Sequence, residues 1–254
     1  MIPSSLPPII EINETDSTNR FLLSLCHDLK SEVTELTTVV ADHQTAGKGQ
    51  RGNSWEAEAG KNLLFSFVCY PRFLPARRQF ILSQIVSLAI KEELEQHIAD
   101  VSIKWPNDIY WQEKKICGIL IENDLSQGCL ARSIVGIGLN INQERFVSNA
   151  PNPTSLRLIT GREHDRKQIL AGIMERMAVY YNALRLEEPA SFETDINARY
   201  ARSLFRRRGY HTYRDADGLF QARLLRVEPD GRFVLEDENG REREYLFKEV
   251  QYVL

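Results

Sequence analysis

The chain predicts an α+β protein: a larger domain with a mixed or antiparallel sheet over residues 1–204, and a small all-β domain of compact barrel type over residues 205–254. Three observations predict it. Strands and helices in the first part do not alternate strictly, and at least one hairpin interrupts them. After Arg206-Arg207-Arg208 three turn signals, Asp215–Gly218, Glu228–Gly231 and Asp237–Gly240, recur about ten residues apart between short alternating runs. A length of 254 residues, 43% hydrophobic and 26% charged, gives room for one sizeable core and a smaller one.

Asp16 to Asn19 supplies cap residues ahead of Phe21, Leu22, Leu25 and Leu29, whose spacing marks an amphipathic helix. The β-branched run 37–41 is a strand that feeds a polar, glycine-rich loop, and Leu63 to Tyr70 is the next strand. Helical spacing of Phe80, Ile81, Ile85, Leu88, Ala89 and Leu94 predicts a helix over 76–97. Val101, Ile103 and Trp105 alternate as a strand, Pro106-Asn107-Asp108 turns the chain, and 109–111 leads into a hairpin with 116–122. A strand over 131–141 carries Gly136 and Gly138 on one side, where something approaches the backbone closely. Residues 149–160 read as a loop, and 165–185 and 191–200 as helices. There is no internal repeat and no low-complexity tract.

A net charge of −3 gives no global attraction to nucleic acid, so anion binding must come from a local cluster such as the one around Lys48 and Arg51. Cys26, Cys69, Cys117 and Cys129 show no metal spacing, and reduced, mostly buried thiols are expected. The N-terminal residues lack the pattern of an export signal, and no stretch approaches the ~18 apolar residues of a membrane span, so a cytoplasmic protein without membrane contact is expected.

Gly47-x-Gly49-x-x-Gly52 matches the dinucleotide fingerprint literally and follows a strand. A dinucleotide turn, however, must open a helix that receives the pyrophosphate, and here the next regular element is the strand Leu63 to Tyr70. A P-loop fails too, because Asn53-Ser54 follows Gly52 where Lys-Ser/Thr is required. What remains is a loop with exposed backbone N–H groups and the cations Lys48 and Arg51, able to close over phosphate, or else a soluble surface loop. Trp55 favours the first, since a large aromatic at the end of a polar loop usually packs over something. Lys104, at a strand end just before Pro106-Asn107-Asp108, brings a point charge towards a site, or snorkels from a hairpin.

Five ordered motifs carry a resemblance to biotin protein ligases, also called biotin-[acetyl-CoA-carboxylase] ligases. They are DSTN at 16–19, QTAGKGQRGNSW at 44–55, GKNLLFS at 60–66, KWPNDI with KICGILIE at 104–109 and 115–122, and GIGLNIN at 136–142. The resemblance covers most of residues 12–142 and implies a catalytic domain related to class II aminoacyl-tRNA synthetases, followed by a small SH3-like barrel. It implies that biotin and ATP with Mg²⁺ form biotinyl-5′-AMP, and that biotin then passes to a lysine of a biotin carboxyl carrier protein of a biotin-dependent carboxylase. By the same resemblance Ser17, Thr18 and Gln44 bind the polar ureido end of biotin, with Asn19 beside them, and Gly118 borders the pocket. Gly47, Lys48, Gly49 and Gln50 hold the adenylate, and Arg51 offsets its charge. Lys104 binds the biotin carboxylate and α-phosphate, Asn140 lies near the ATP phosphates or their Mg²⁺, and Trp55 packs on the adenine side. No protein metal ligands are implied. Ser17 and Thr18 serve equally well as helix caps, and Asn140 as a strand end.

Relatives that also repress transcription carry a helix-turn-helix domain before DSTN; only about fifteen residues precede it here, so a monofunctional ligase without DNA binding is expected. Lipoate ligase is the nearest enzymatic alternative, but its usual loop, Arg-Arg-x-Ser-Gly-Gly-Gly, differs from GKGQRG. A non-catalytic biotin sensor or corepressor and a nucleotide-binding oxidoreductase stand further off. Exposed sheet edges leave a homodimer open, and Arg206 to Arg208 and Arg223 either support ATP or the carrier, or simply solvate the surface.

Relatives commonly have Gly-Arg-Gly-Arg-x-Gly in the loop, where this chain has Lys48 and Gln50. Lysine keeps the charge without the planar fork, and glutamine loses it. Unless Arg51 compensates, the expected outcome is leakage of biotinyl-AMP when no acceptor is present, followed by chromatography of the released nucleotide; undetectable release contradicts it.

Overall fold

The computed structural model describes residues 7–49, 53–148, 152–186 and 189–254. Seven strands make the first sheet: β1 (Ile9–Thr15), β2 (Thr38–Gln44), β3 (Leu63–Cys69), β4 (Val101–Lys104), β5 (Asp108–Trp111), β6 (Lys114–Ser126) and β7 (Cys129–Leu139), in the order β1-β2-β3-β7-β6-β5-β4. Helix α1 (Thr18–His27) crosses over between β1 and β2, which therefore pair in parallel; every other pairing in this sheet is antiparallel. The sheet is thus mixed, as expected.

β3 is buried at all positions, because both faces of the sheet are covered at its centre. On one face α1 lays Leu22 against Val39, Val68 and Ile134. On the other, α2 (Phe80–Leu94) is buried around almost its whole circumference, between the sheet and helices α4 (Arg166–Leu186) and α5 (Pro189–Arg202). That position explains why α2 has so weak an amphipathic pattern: a helix with protein on every side needs no polar face. α4 turns Ile169, Ile173, Met177, Tyr180 and Leu184 inward at helical spacing. No helix among the described residues is long and apolar enough to cross a membrane.

A second, five-stranded antiparallel sheet follows: β8 (His211–Asp215), β9 (Gly218–Val227), β10 (Phe233–Asp237), β11 (Glu242–Tyr245) and β12 (Gln251–Tyr252), in the order β11-β10-β9-β8-β12. The three turn signals sit where the sequence puts them, with Gly218, Gly231 and Gly240 all at positive φ. The barrel, however, does not close. The end strands β11 and β12 are four and two residues long and are not paired with each other. Trp105, in the turn that follows β4, packs into this core instead.

Trp105 is 5% exposed, stacks on Phe233 with centroids 4.8 Å apart, meets Phe247 edge-on and donates from Nε1 to the carbonyl of Gly231 at 2.9 Å. Beside it, Ile103 bonds to Ser203 O at 2.8 Å and receives Phe205 N at 2.9 Å, and Tyr200 donates to Pro106 O at 2.6 Å. The chain around Lys104 is therefore fastened on three sides.

Three elements differ from the sequence reading. β1 was not anticipated: only Ile10 and Ile12 alternate inward and Pro7-Pro8 precede them, too little signal for an edge strand. A short helix α3 (Leu156–Thr160) lies within the stretch read as a loop; Ser155 caps it by accepting from Leu158 N at 3.2 Å, and Gly161 ends it. The helix expected over 76–97 begins as a 3-10 turn at Ala76–Arg78 and is α-helical only over Phe80–Leu94.

Trp105→Ala is expected to cost about 3–5 kcal/mol, the range for removing a buried large aromatic, and to open 203–210 to protease before the rest of the chain unfolds. Urea denaturation and limited proteolysis measure both; a cost below about 1 kcal/mol would show that Trp105 is not the anchor.

Candidate functional site

A cavity of about 870 Å³ opens at one end of the first sheet, and Ser17, Thr18, Asn19, Gln44, Lys48, Gly49, Trp55, Lys104, Gly118 and Asn140 all line it. Ten residues singled out in the sequence, from five separate segments, thus share one site. Gly47 is buried against it: a Cβ there would lie 2.8 Å from Trp55 O and 3.2 Å from Gln44 Nε2. Gln50 and Arg51 lie outside the described residues.

At the base of the cavity is a buried polar network. Gln44 Oε1 accepts from the backbone N of Thr18 at 2.8 Å and from its hydroxyl at 3.1 Å. The Ser66 hydroxyl lies 2.7 Å from Thr18 Oγ1 and 2.6 Å from Asn19 Oδ1, and Asn19 Nδ2 donates to Glu122 at 2.6 Å. Buried polar groups are stable only when paired in this way, so DSTN, Gln44 and the mid-strand Ser66 specify one another. Ser17 occupies the N-cap position of α1, yet its side chain makes no cap bond. Capping is therefore not what the hydroxyl does here, and it remains on the cavity wall.

The described ends of the glycine loop, 47–49 and 53–55, are pinched together. Trp55 N donates to Gly47 O at 2.9 Å and Gly49 N to Asn53 O at 2.6 Å, with Lys48 exposed between them. The pinch delivers Trp55 onto the sheet, where its indole lies over Gly118 and Gly138, register partners on β6 and β7. A Cβ at Gly138 would run into the indole, and one at Gly118 would lie 2.7 Å from Cζ3. Gly136, next along β7, makes the same kind of room for Asn19. The close approach expected at these glycines is made by the protein's own side chains. Trp55 touches Gly118 directly, although the resemblance assigns them to different ends of the ligand. The indole Nε1 is buried without a hydrogen-bond partner among the described residues, as is Asn140 Oδ1, whose Nδ2 donates to Thr154 O at 2.9 Å.

Glu56, beside Trp55, ties this loop to the opposite rim by accepting from Val147 N and Ser148 N, both at 2.8 Å. Burial raises its pKa, but these bonds outweigh it and hold the carboxyl below the usual glutamate range.

Lys104 ends β4 at the cavity edge. Burial pushes its pKa below the usual lysine value; Asp108 opposes this, while Lys115 and Arg206 add to it. Asp108 itself pairs with Lys115 at 2.7 Å. A half-buried ammonium with a second cation nearby is a place for an anion. The Cys117 thiol, close by and fully buried, is pushed up by desolvation and is not a nucleophile at neutral pH.

Sequence reading missed Lys115 and the contribution of the second sheet. Lys115 and Gly118 are an odd number apart, which in a regular strand separates them onto opposite faces. A β-bulge intervenes: Ile109 pairs with Cys117 but Tyr110 with Lys115, so β6 holds one extra residue and Lys115 returns to the cavity face. Phe247, Lys248, Val250, Gln251 and Tyr252 complete the wall from the second sheet, with no motif to mark them.

The family described as biotin/lipoate A/B protein ligase matches residues 12–140. The bifunctional ligase/repressor BirA of Escherichia coli (strain K12) is 33% identical over 164 residues, which is 64% of this chain and 50% of that protein. The chain thus matches about half the length of that relative. A biotin-[acetyl-CoA-carboxylase] ligase of Mycobacterium tuberculosis is 28% identical over 170 residues, 65% of this chain and 61% of that one. The solved structure of a biotin protein ligase from Aquifex aeolicus in complex with biotin and ATP superposes with a TM-score of 0.77 at 28% identity, covering 97% of this chain and 99% of that one.

Gly138→Ala is expected to expel Trp55 from the sheet, red-shifting its fluorescence; in a Trp55→Phe background the same substitution should leave the emission unchanged. Equal emission in Gly138→Ala and the parent would mean that the indole does not rest there.

Proposed function

The chain belongs to the biotin/lipoate A/B protein ligase family, and from that premise we propose that it is a biotin-[acetyl-CoA-carboxylase] ligase, forming biotinyl-5′-AMP and passing biotin to a lysine of a biotin carboxyl carrier protein. One observation carries the reading: the KWPND lysine, the glycine loop and the Gly118–Gly138 floor, far apart in sequence, meet in one cavity of a size to take a nucleotide together with a small bicyclic acid. The loop favours biotin over lipoate, since it reads Gly47-Lys48-Gly49 and not the three-glycine form. The Aquifex aeolicus relative crystallised with biotin and ATP supports the same choice.

In this reading the network of Ser17, Thr18, Asn19 and Gln44 receives the ureido end and the glycine floor receives the ring system, while Gly47, Lys48, Gly49, Gln50 and Arg51 close over the adenylate. Opening of the loop lifts Trp55 from Gly118 and Gly138, and the indole then covers the bound ligand from the adenine side. The biotin carboxylate attacks the α-phosphorus, the bond to the β-phosphate oxygen breaks and pyrophosphate leaves. Lys104, with Lys115 beside it, stabilises the charge that gathers on the α-phosphate oxygens and draws the carboxylate into line. The neutral amine of the carrier lysine then attacks the acyl carbon, AMP departs and the amine loses its proton to solvent. Mg²⁺ carried by ATP would supply screening of the phosphate charge, and Asn140 Oδ1, a neutral oxygen in the lining without a partner among the described residues, would hold that ion or its water. Residues 1–204 form the catalytic domain and 205–254 a small β domain that completes its wall.

Labelled biotin or lipoate, MgATP and a carrier domain decide the substrate: covalent label from biotin is expected, and label from lipoate alone, or none, overturns the reading. Lys104→Ala is expected to lower biotin-dependent ATP–pyrophosphate exchange by about 10²–10³, the loss seen when one charge-stabilising donor is removed. Normal exchange in that variant would rule out the role.

A further inference from the structure

Lys104 is held by uncharged groups. Its Nζ donates to Tyr110 Oη at 3.1 Å and stands 4.8 Å from the centroid of that ring and 5.0 Å from the centroid of Tyr252. Among the described residues no carboxylate lies within ion-pair distance of it: its cross-strand neighbour Asp108 is taken by Lys115. The two rings come from different sheets. Tyr110, on β5 and buried, pairs with Ser102, two residues before Lys104, so it is the diagonal neighbour of the lysine on the same face. Tyr252 belongs to β12; its strand pairs with β8, its ring packs on Tyr213, Phe205 and Phe233, and Arg206 bonds to the carbonyl of Val253 at 2.9 Å.

We propose that Tyr110 and Tyr252 are positioning residues for Lys104, two aromatic walls that fix its ammonium at the cavity edge without neutralising it, so that the second sheet is a working part of the reaction centre. A carboxylate would hold the lysine equally well but would cancel the field that an anionic substrate meets. A π-face and a hydroxyl orient the cation and leave its charge available. What Lys104 does for substrate rests on the ligase reading; the cage itself does not.

The charged groups facing Lys104 are Asp108 from β5, Lys115 from β6 and Arg206 from the junction, and they oppose one another. Burial pushes the phenols of Tyr110 and Tyr252 upward, so both stay neutral at physiological pH. Each wall favours the charged amine. Removing one therefore lets Lys104 lose its proton at lower pH, and the alkaline limb of any step that needs the ammonium moves in the acid direction.

The test is a pH titration of ¹³Cε-labelled lysines by NMR in the ligand-free protein, with the Lys104 signal assigned by Lys104→Arg. Tyr252→Leu, which keeps bulk but loses the π-face, and Tyr110→Phe, which loses the acceptor, should each lower the Lys104 midpoint by about 0.5–1 pH unit. Tyr252→Phe should leave the midpoint at the parental value. In biotin-dependent pyrophosphate exchange, the alkaline limb should move with the midpoint in each variant. Equal midpoints for Tyr252→Leu and Tyr252→Phe, or no shift in Tyr110→Phe, overturn the proposal. The titration needs neither biotin nor ATP, so a parent without exchange activity would overturn the ligase reading and leave the cage to be decided by the midpoints.

Discussion

Trp105 directly follows β4, and at Lys104–Trp105 the chain joins the two halves of the molecule. Trp105 turns into the core of the second sheet, stacked on Phe233 and bonded to Gly231. Lys104, one residue earlier, ends β4 at the cavity. The anchor fixes the backbone from which the lysine springs. The bonds of Ile103 to Ser203 and Phe205, and of Tyr200 to Pro106, hold the backbone on either side. The same indole fills the core of the open second sheet, stacked on Phe233 and edge-on to Phe247.

The rest of the site is built from close approach. Three glycines on β6 and β7 leave the sheet surface bare, and Asn19 and Trp55 descend onto it. Asn19 can be buried because Ser66 and Glu122 satisfy its amide, and Ser66 stands alone as a polar residue in the strand LLFSFVC. A hydroxyl in the middle of an apolar strand would be destabilising by itself. Here it is the point at which the first helix is registered against the sheet.

Most of this arrangement was legible in the chain. Helical periodicity and β-branched runs locate α1, β2, β3, α2 and α4, and the turn glycines locate the second sheet, because those signals come from burial on one face or from backbone conformation. The motifs name ten residues that do meet in one cavity. The misses share a cause: each depends on a neighbour distant in sequence. Lys115 reaches the cavity through a bulge that only the pairing with β5 reveals. Tyr252 matters because Phe205, Tyr213 and Arg206 place it beside Lys104. β1 is stabilised by its parallel partner and has little pattern of its own.

The separation of Lys104 and Tyr252 along the chain has a consequence in time. At translation speeds of about 5–20 residues per second, Lys104 leaves the ribosome roughly seven to thirty seconds before its second aromatic wall exists. The first sheet can pair during that interval, since β12 contributes no strand to it. A nascent chain can therefore hold a nearly complete fold while its lysine is still open to water on one side. The reaction centre is finished last, by the same strand that finishes the small sheet.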